Sequence, residues 1–374
     1  MKNFKIISGI AQFATFHDFA QEMMLSGHDL VITNSSIFAP VVKNENSGCL
    51  TLFLEDYGSG EPTDEMVDAI LKDLEDCRYD RIIAIGGGSV IDVAKFICLA
   101  RKGDTTDALF DRKDSLTKVC PLIVIPTTCG TGSEVTSVAV VNRLKMGTKM
   151  GLQTDAMYPD QAALIEEMLG SLPYGVFATS SIDAMVHAAE SYLSPNACAH
   201  SRLFSKDALR LLVGSWVKAV QNGNPEKDWK NNAADYLLGA NEAGIAFGYA
   251  GCGAVHACAY PLGGVHHVAH GQSNQMMFAA VMKKYKELAP VGRINELEDI
   301  LADILGCERE AALENLYALM DKILPLRPLH EVGMSEEEIT LFARDVIENQ
   351  QRLLKNNYIP FTEDDLADIY RSAF

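Results

Sequence analysis

Asp183 and His187 stand four residues apart in Ser180-Ser-Ile-Asp-Ala-Met-Val-His-Ala-Ala-Glu190, so a helix presents both side chains from one face. Ala184, Met185, Val186, Ala188 and Ala189 surround them with apolar groups, and solvation does not account for such a pair. Four of the nine histidines fall in one short stretch: His256, His266, His267 and His270. His256 lies inside Ala243 to Val265, 23 residues without a formal charge, where an imidazole lacking a partner is costly. His270 follows a glycine-rich break and precedes Gly271. One carboxylate with three imidazoles gives three nitrogens and an oxygen, a donor set suited to Fe²⁺ or Zn²⁺ with a position left for a substrate oxygen. The ligands alone do not choose between the two metals.

A second chemistry sits earlier in the chain. Arg81-Ile-Ile-Ala-Ile85 runs into Gly86-Gly87-Gly88-Ser89 and then Val90-Ile-Asp92-Val-Ala-Lys95, a strand, a glycine turn and a helix start. Glycines let the backbone approach a pyrophosphate, and the amides and dipole of the helix start favour its charge. A further corner follows, where Leu122-Ile-Val-Ile-Pro126-Thr127-Thr128 ends a strand and Gly130-Thr-Gly-Ser133-Glu134 opens the next element. Ligands bind at the carboxyl ends of parallel strands, so two such exits in one sheet point to an elongated ligand, and a dinucleotide fits. Thr33-Asn34 ends the first strand, where a carboxylate often bonds the adenosine ribose; Asn34 can bond a 2′-hydroxyl yet does not repel a 2′-phosphate.

The elements that must position these residues follow from the apolar pattern. Leu30 to Thr33, Leu50 to Leu54, Arg81 to Ile85 and Leu122 to Ile125 read as strands, separated by amphipathic segments such as Thr63 to Leu74 with Thr63 as N-cap. This rhythm implies a mostly parallel sheet covered by helices. After about Pro173 the strand signals fade, and the chain from Ser180 to Phe374 reads as helical, with breaks at 194–196, 222–225, 261–264, 325–328 and Pro360. A domain boundary is therefore placed near 175. The uncharged stretch holds six glycines and a proline, which favours a buried helix followed by a loop over a membrane span.

Fifty acidic and 32 basic residues give a net charge of −18, which excludes sequence-independent nucleic-acid binding and docking on an anionic membrane. Small anions remain possible ligands. Nine cysteines with no CxxC pair fit free thiols, and the N-terminal MKNFKIISGI has no signal-peptide pattern, so a cytoplasmic protein is expected.

In order along nearly the whole chain, Gly86-Gly-Gly-Ser89 with Asp92 and Lys95, Pro126-Thr-Thr-x-Gly-Thr-Gly-Ser-Glu134-Val-Thr136, Asp183-Ala-x-x-His187-Ala-x-Glu190-x-Tyr192, and His256-Ala through His270-Gly-x-x-Asn274 resemble the iron-containing (group III) alcohol dehydrogenases. Within that family Gly60 to Met66, Ile245 to Gly248 and Gln350 to Tyr358 are most similar to 4-hydroxybutyrate dehydrogenases of anaerobic bacteria. The resemblance implies a Rossmann-like α/β dinucleotide-binding domain, residues 1–175. It implies an all-α metal and substrate domain after it, residues 176–374, in the fold shared with dehydroquinate synthase. It implies metal ligands Asp183, His187, His256 and His270, with Fe²⁺ favoured over Zn²⁺. For NAD it implies contacts from Gly86, Gly87, Gly88 and Ser89, from Thr127 and Thr128, and from Lys149, with Asn34, Asp92, Ser133 and Thr136 as further candidates. A small-molecule substrate and a homodimer are expected.

Three departures from the family pattern stand out: Tyr260 where many members carry histidine, Ala269 in place of proline before His270, and Asn34 in place of aspartate. The implied reaction is reversible hydride transfer between 4-hydroxybutyrate and succinate semialdehyde, with His266, His267 or Tyr260 as proton outlets and Arg352 as a partner for the substrate carboxylate. Two alternatives are a group III enzyme acting on another small alcohol or aldehyde, and a lyase of the dehydroquinate synthase type.

Overall fold

A computed structural model describes residues 3–45 and 48–374. Its contacts divide the chain into two units, one spanning Lys5–Leu172 and one spanning Pro173–Phe374 together with the start of the chain. Phe4 belongs to the latter, stacking on His200 and Phe204.

In the first unit six strands form a parallel sheet: β1 (Gly9–Phe13), β2 (Asp29–Thr33), β3 (Leu50–Phe53), β4 (Arg81–Gly86), β5 (Leu122–Pro126) and, after an antiparallel hairpin of β6 (Val138–Arg143) and β7 (Thr148–Gln153), β8 (Gln161–Ile165). The order across the sheet is β1-β8-β5-β4-β2-β3. All four expected strands are present; β1 and β7 carry no continuous apolar run, whereas β6 (Val138-Ala-Val-Val141) and β8 (Ala162-Ala-Leu-Ile165) carry runs that sequence reading passed over. The central strands are buried on both faces, as a parallel sheet under helices requires. Along β4, Ile82 and Ala84 join one core with Val67, Ile70 and Val90, whereas Ile83 and Ile85 join the opposite core with Phe16 and Phe19. From β2 the chain runs outward to β3, and from β4 it runs the other way to β5. The order therefore reverses between β2 and β4, where the carboxyl ends leave a crevice. Thr63 caps the following helix as expected, accepting from the Met66 amide at 3.1 Å.

The second unit is helical throughout. Its Tyr174–Leu193 helix is buried on every side from Ser181 onward, packed by the helices Ala199–Gln221, Ala233–Ala250 and His270–Leu288. Two expectations are corrected here. The uncharged stretch is not one helix and a loop. It is the end of the Ala233–Ala250 helix, a turn at Gly251 to Gly253, and a second helix, Ala254–His266. Nor does the chain break at Pro261, which lies inside that second helix. The surrounding burial holds the helix together despite the missing amide, and it ends instead at His267, in the left-handed region at φ 55°. No described helix is long and apolar enough to cross a membrane.

Candidate active site

Three helices of the second unit meet at Asp183. His187 lies one turn along the same helix, His256 is on the Ala254–His266 helix, and His270 opens the His270–Leu288 helix. Gly271 makes the last of these possible: a Cβ there would collide with the Thr179 carbonyl, so only glycine lets the two helices cross closely enough to bring His270 to Asp183. Ala269 precedes it at φ −56°, close to the value proline imposes, so the departure from proline leaves the local backbone in place.

From Asp183 Oδ1 the distances are 3.5 Å to His256 Nε2, 3.5 Å to His270 Nε2 and 3.9 Å to His187 Nε2. A tetrahedral cation with bonds of about 2.1 Å separates its ligand atoms by roughly 3.4 Å. Asp183, His256 and His270 therefore have the spacing and donor chemistry of a divalent metal site, while His187 approaches Asp183 and groups with Cys252 and His256. Asn274 supports this: its Nδ2 lies 2.7 Å from Asp183 Oδ1, 3.3 Å from His256 Nε2 and 3.4 Å from His270 Nε2, an electropositive group at the focus of the donors. Burial alone would raise the Asp183 carboxyl, but the imidazoles of His187, His270 and His256 hold it well below the ordinary carboxylate range.

Glu190 fixes His256. Its Oε2 lies 2.6 Å from His256 Nδ1 and its Oε1 accepts from the Val255 amide at 2.6 Å, so the ring turns Nε2 toward Asp183. His187 stacks between Phe247 and His256, with centroid separations of 4.2 and 4.6 Å. Cys252 lies near enough to His187 and His256 to share a cation with them, but burial first, then Glu190 and Asp183, push its thiol well above the ordinary value, toward the protonated form.

Of the expected proton outlets, Tyr260 is beside the centre, its ring 6.1 Å from that of His270. His266 faces Glu338 at 3.2 Å and Phe342, and His267 is the exposed residue that ends the helix.

In the first unit, β4 ends at Gly86, Gly87 is the N-cap of the Gly88–Ile97 helix, and no side chain hydrogen-bonds to cap that helix start. Thr127 binds back to Gly86 by its amide at 3.1 Å, and Thr128 stands beside Gly87. Ser89 donates to the Gly60 carbonyl at 3.2 Å while Lys149 pairs with Glu61 at 2.5 Å, so one loop gathers both. Asp92, Ser133 and Thr136, expected as further cofactor contacts, take part in internal ties. Asp92 accepts from Ser133 Oγ at 3.0 Å and from the Val140 amide at 2.9 Å, and Lys95 donates to Thr136 Oγ1 at 3.1 Å. Their polar groups are consumed in fastening the helix to the hairpin.

Asn34 at the end of β2 donates to Glu55 Oε2 at 2.7 Å, and the Ser35 amide donates to Oε1 at 2.6 Å. Partial burial opposes ionisation, but the hydrogen bonds from Ser35 and Asn34 hold the Glu55 carboxyl down at about 2. The strand that Asn34 ends is thus the second, β2, and a carboxylate stands at its exit after all, supplied from the turn that follows β3. Sequence reading missed Glu55, Glu190 as the His256 partner, and Asn274 at the focus of the donors, although Glu190 and Asn274 belong to the quoted motifs.

The glycine turn of the parallel sheet and the cluster of metal donors fit a nucleotide- and metal-dependent enzyme, and similarity to known proteins gives its family. Residues 4–165 match the family described as iron-containing alcohol dehydrogenase, and residues 177–374 match the C-terminal part of the Fe-containing alcohol dehydrogenase family. The chain belongs to the iron-containing alcohol dehydrogenases. It is 44% identical over 375 residues, covering 100% of both chains, to 4-hydroxybutyrate dehydrogenase of Clostridium kluyveri. It is 33% identical over 326 residues to long-chain-alcohol dehydrogenase 1 of Geobacillus thermodenitrificans, covering 84% of this chain and 80% of that one. Among solved structures, sulfoacetaldehyde reductase from Bifidobacterium kashiwanohense in complex with NAD⁺ superposes with a TM-score of 0.84 at 24% identity, covering 100% and 98% of the two chains. A 1,3-propanediol oxidoreductase does so with a TM-score of 0.83 at 21% identity over both full lengths. The structural likenesses define the fold.

Proposed function

We propose that this protein is an NAD-dependent 4-hydroxybutyrate dehydrogenase: 4-hydroxybutyrate + NAD⁺ ⇌ succinate semialdehyde + NADH + H⁺. The observation that carries the reading is the Asp183, His187, His256 and His270 cluster in a chain 44% identical, end to end, to an enzyme of that name. When bound, a divalent metal supplies Lewis-acid stabilisation to the oxygen that loses its proton, and nicotinamide accepts the hydride. Asp183, His187, His256 and His270 hold the metal, with iron favoured by the family. Glu190 keeps the His256 ring in its working orientation, and buried side chains around Asp183 exclude water from the donors. His270 forms the open edge of the cluster, its side chain 46% exposed. The glycine turn at 86–88 receives the cofactor pyrophosphate, and the Glu55 charge beside Asn34 favours NAD over NADP.

The reading extends to a cytoplasmic homodimer. All nine cysteines are free thiols, which suits a reducing compartment, and family likeness supports the dimer. Sedimentation equilibrium tests the assembly. For the reaction, anaerobically metal-loaded protein is given 4-hydroxybutyrate with NAD⁺ and the product is trapped and identified. Succinate semialdehyde formed in step with NADH supports the reading; NADH formation from butanol or 1,3-propanediol but not from 4-hydroxybutyrate contradicts the substrate.

A further inference from the structure

The short Gln351–Leu354 helix lies against the Ala254–His266 helix that carries His256 and Tyr260. Two buried amides pin it there. Asn356 donates from Nδ2 to the Cys252 carbonyl and to the Arg352 carbonyl, both at 3.1 Å, and accepts from Asn196 Nδ2 at 2.8 Å. Asn357 Oδ1 accepts from the Ala254 amide at 3.0 Å. Gly251, at φ +80°, leaves the space that the Asn356 amide fills; a Cβ would collide with it. The backbone of Arg352 is thereby fastened to the turn that leads into His256.

Arg352 projects an exposed side chain whose guanidinium reaches the Tyr260 hydroxyl, and the Tyr260 ring stands 6.1 Å from His270. Among the described residues no carboxylate pairs with Arg352, in a chain that has 50 acidic residues. A cation accessible to solvent and fixed beside the metal cluster is what the distal carboxylate of a short hydroxy acid requires. The chain from hydroxyl oxygen to carboxyl carbon in such an acid is roughly 5 Å when extended.

We propose that Arg352, oriented by Tyr260, is the specificity-determining residue for the substrate carboxylate and makes this site selective for short ω-hydroxy and ω-oxo carboxylates over neutral alcohols and aldehydes. The guanidinium donates to the carboxylate in the forked geometry that arginine and carboxylate share. Tyr260 accepts from Arg352, which leaves its own hydroxyl proton to donate to the same anion; tyrosine at this position thus serves as a positioning and recognition group. This inference rests on the dehydrogenase reading.

The test compares succinate semialdehyde with butanal, its near-isostere without the charge, each with NADH and the metal-loaded enzyme. Arg352→Gln lowers the ratio of kcat/KM for the acid to that for the neutral aldehyde by roughly 10- to 100-fold, chiefly through KM. Arg352→Lys falls between, because it keeps the charge and loses the fork. Tyr260→Phe lowers the same ratio by a smaller factor. Calorimetric titration with butyrate gives a readout independent of turnover, and its Kd rises in Arg352→Gln by a factor similar to the loss in ratio. Thermal melting and metal content establish that each variant is folded and loaded. A folded Arg352→Gln protein whose ratio and butyrate Kd stay within twofold of the parent overturns the assignment. So does a Tyr260→Phe enzyme that loses kcat equally on both aldehydes, which would make the hydroxyl a proton carrier. A parent enzyme that reduces butanal and ignores succinate semialdehyde overturns the substrate reading itself, before any variant is made.

Discussion

At the scale of single residues, the metal donors are legible where they are local and illegible where they are not. Asp183 and His187 announce themselves by a four-residue spacing in an apolar helix. The Glu190 carboxylate and the His256 ring it holds are 66 residues apart, and Asn274 and Asp183 are 91 apart, so their pairing is set by helix packing that no spacing encodes. Their proposed roles carry a direct expectation. Glu190→Gln lowers metal affinity about 10- to 100-fold, because an amide no longer sets the ring or raises its basicity as a carboxylate does. Competition against a chromogenic chelator measures this, and unchanged affinity would reduce Glu190 to a tie for the Val255 amide. Glu55 is the same lesson in the other unit. The sequence shows an asparagine where a carboxylate is usual, whereas the structure brings Glu55 to it from 21 residues away. Glu55→Gln therefore raises kcat/KM with NADP⁺ relative to that with NAD⁺; an unaltered ratio would mean that its charge does not reach the ribose.

At the scale of elements, four strands were legible from their apolar runs, and β1 and β7, which have none, were not. β2 and β4 are buried on both faces and so are written in Val, Ile and Leu, whereas β7 mixes polar and apolar residues; β6 and β8 have apolar runs of four that were passed over. Pro261 marks the opposite failure: local propensity signalled a break, and tertiary burial kept the helix. Helix packing also leaves an electrostatic signature. Glu242, on the Ala233–Ala250 helix, is raised to about 8 by burial and by Asp207 on the Ala199–Gln221 helix, with Arg210 opposing. An acid whose folded value lies above its unfolded value of 4.5 has its contribution in full below that value, loses it as pH rises toward about 8, and is constant beyond. Glu242→Gln should accordingly raise Tm more at about pH 8 than at about pH 5, read by calorimetry. An equal shift at both would show that Glu242 ionises normally.

At the scale of the whole molecule, the division into an α/β part and a helical part followed from composition and periodicity, because strand signals simply stop after about Pro173. The net charge of −18 made polyanions poor partners, and it gives the local cations their weight: a divalent metal and Arg352 supply positive charge where the reading puts a small carboxylate. What charge and period could not show is which titratable groups meet, since that depends on how three helices cross at Gly271 and at the turn beginning with Gly251. The central claim, a dehydrogenase whose metal is held by Asp183 and three imidazoles, is tested most directly by following NADH absorbance with succinate semialdehyde, using anaerobically Fe²⁺-loaded parent and His270→Ala proteins side by side with their metal contents. The parent should retain iron and consume NADH mole for mole with the aldehyde, and His270→Ala should lose both. An inert parent, or a His270→Ala protein that keeps its metal and turns over at the parental rate, would contradict the account.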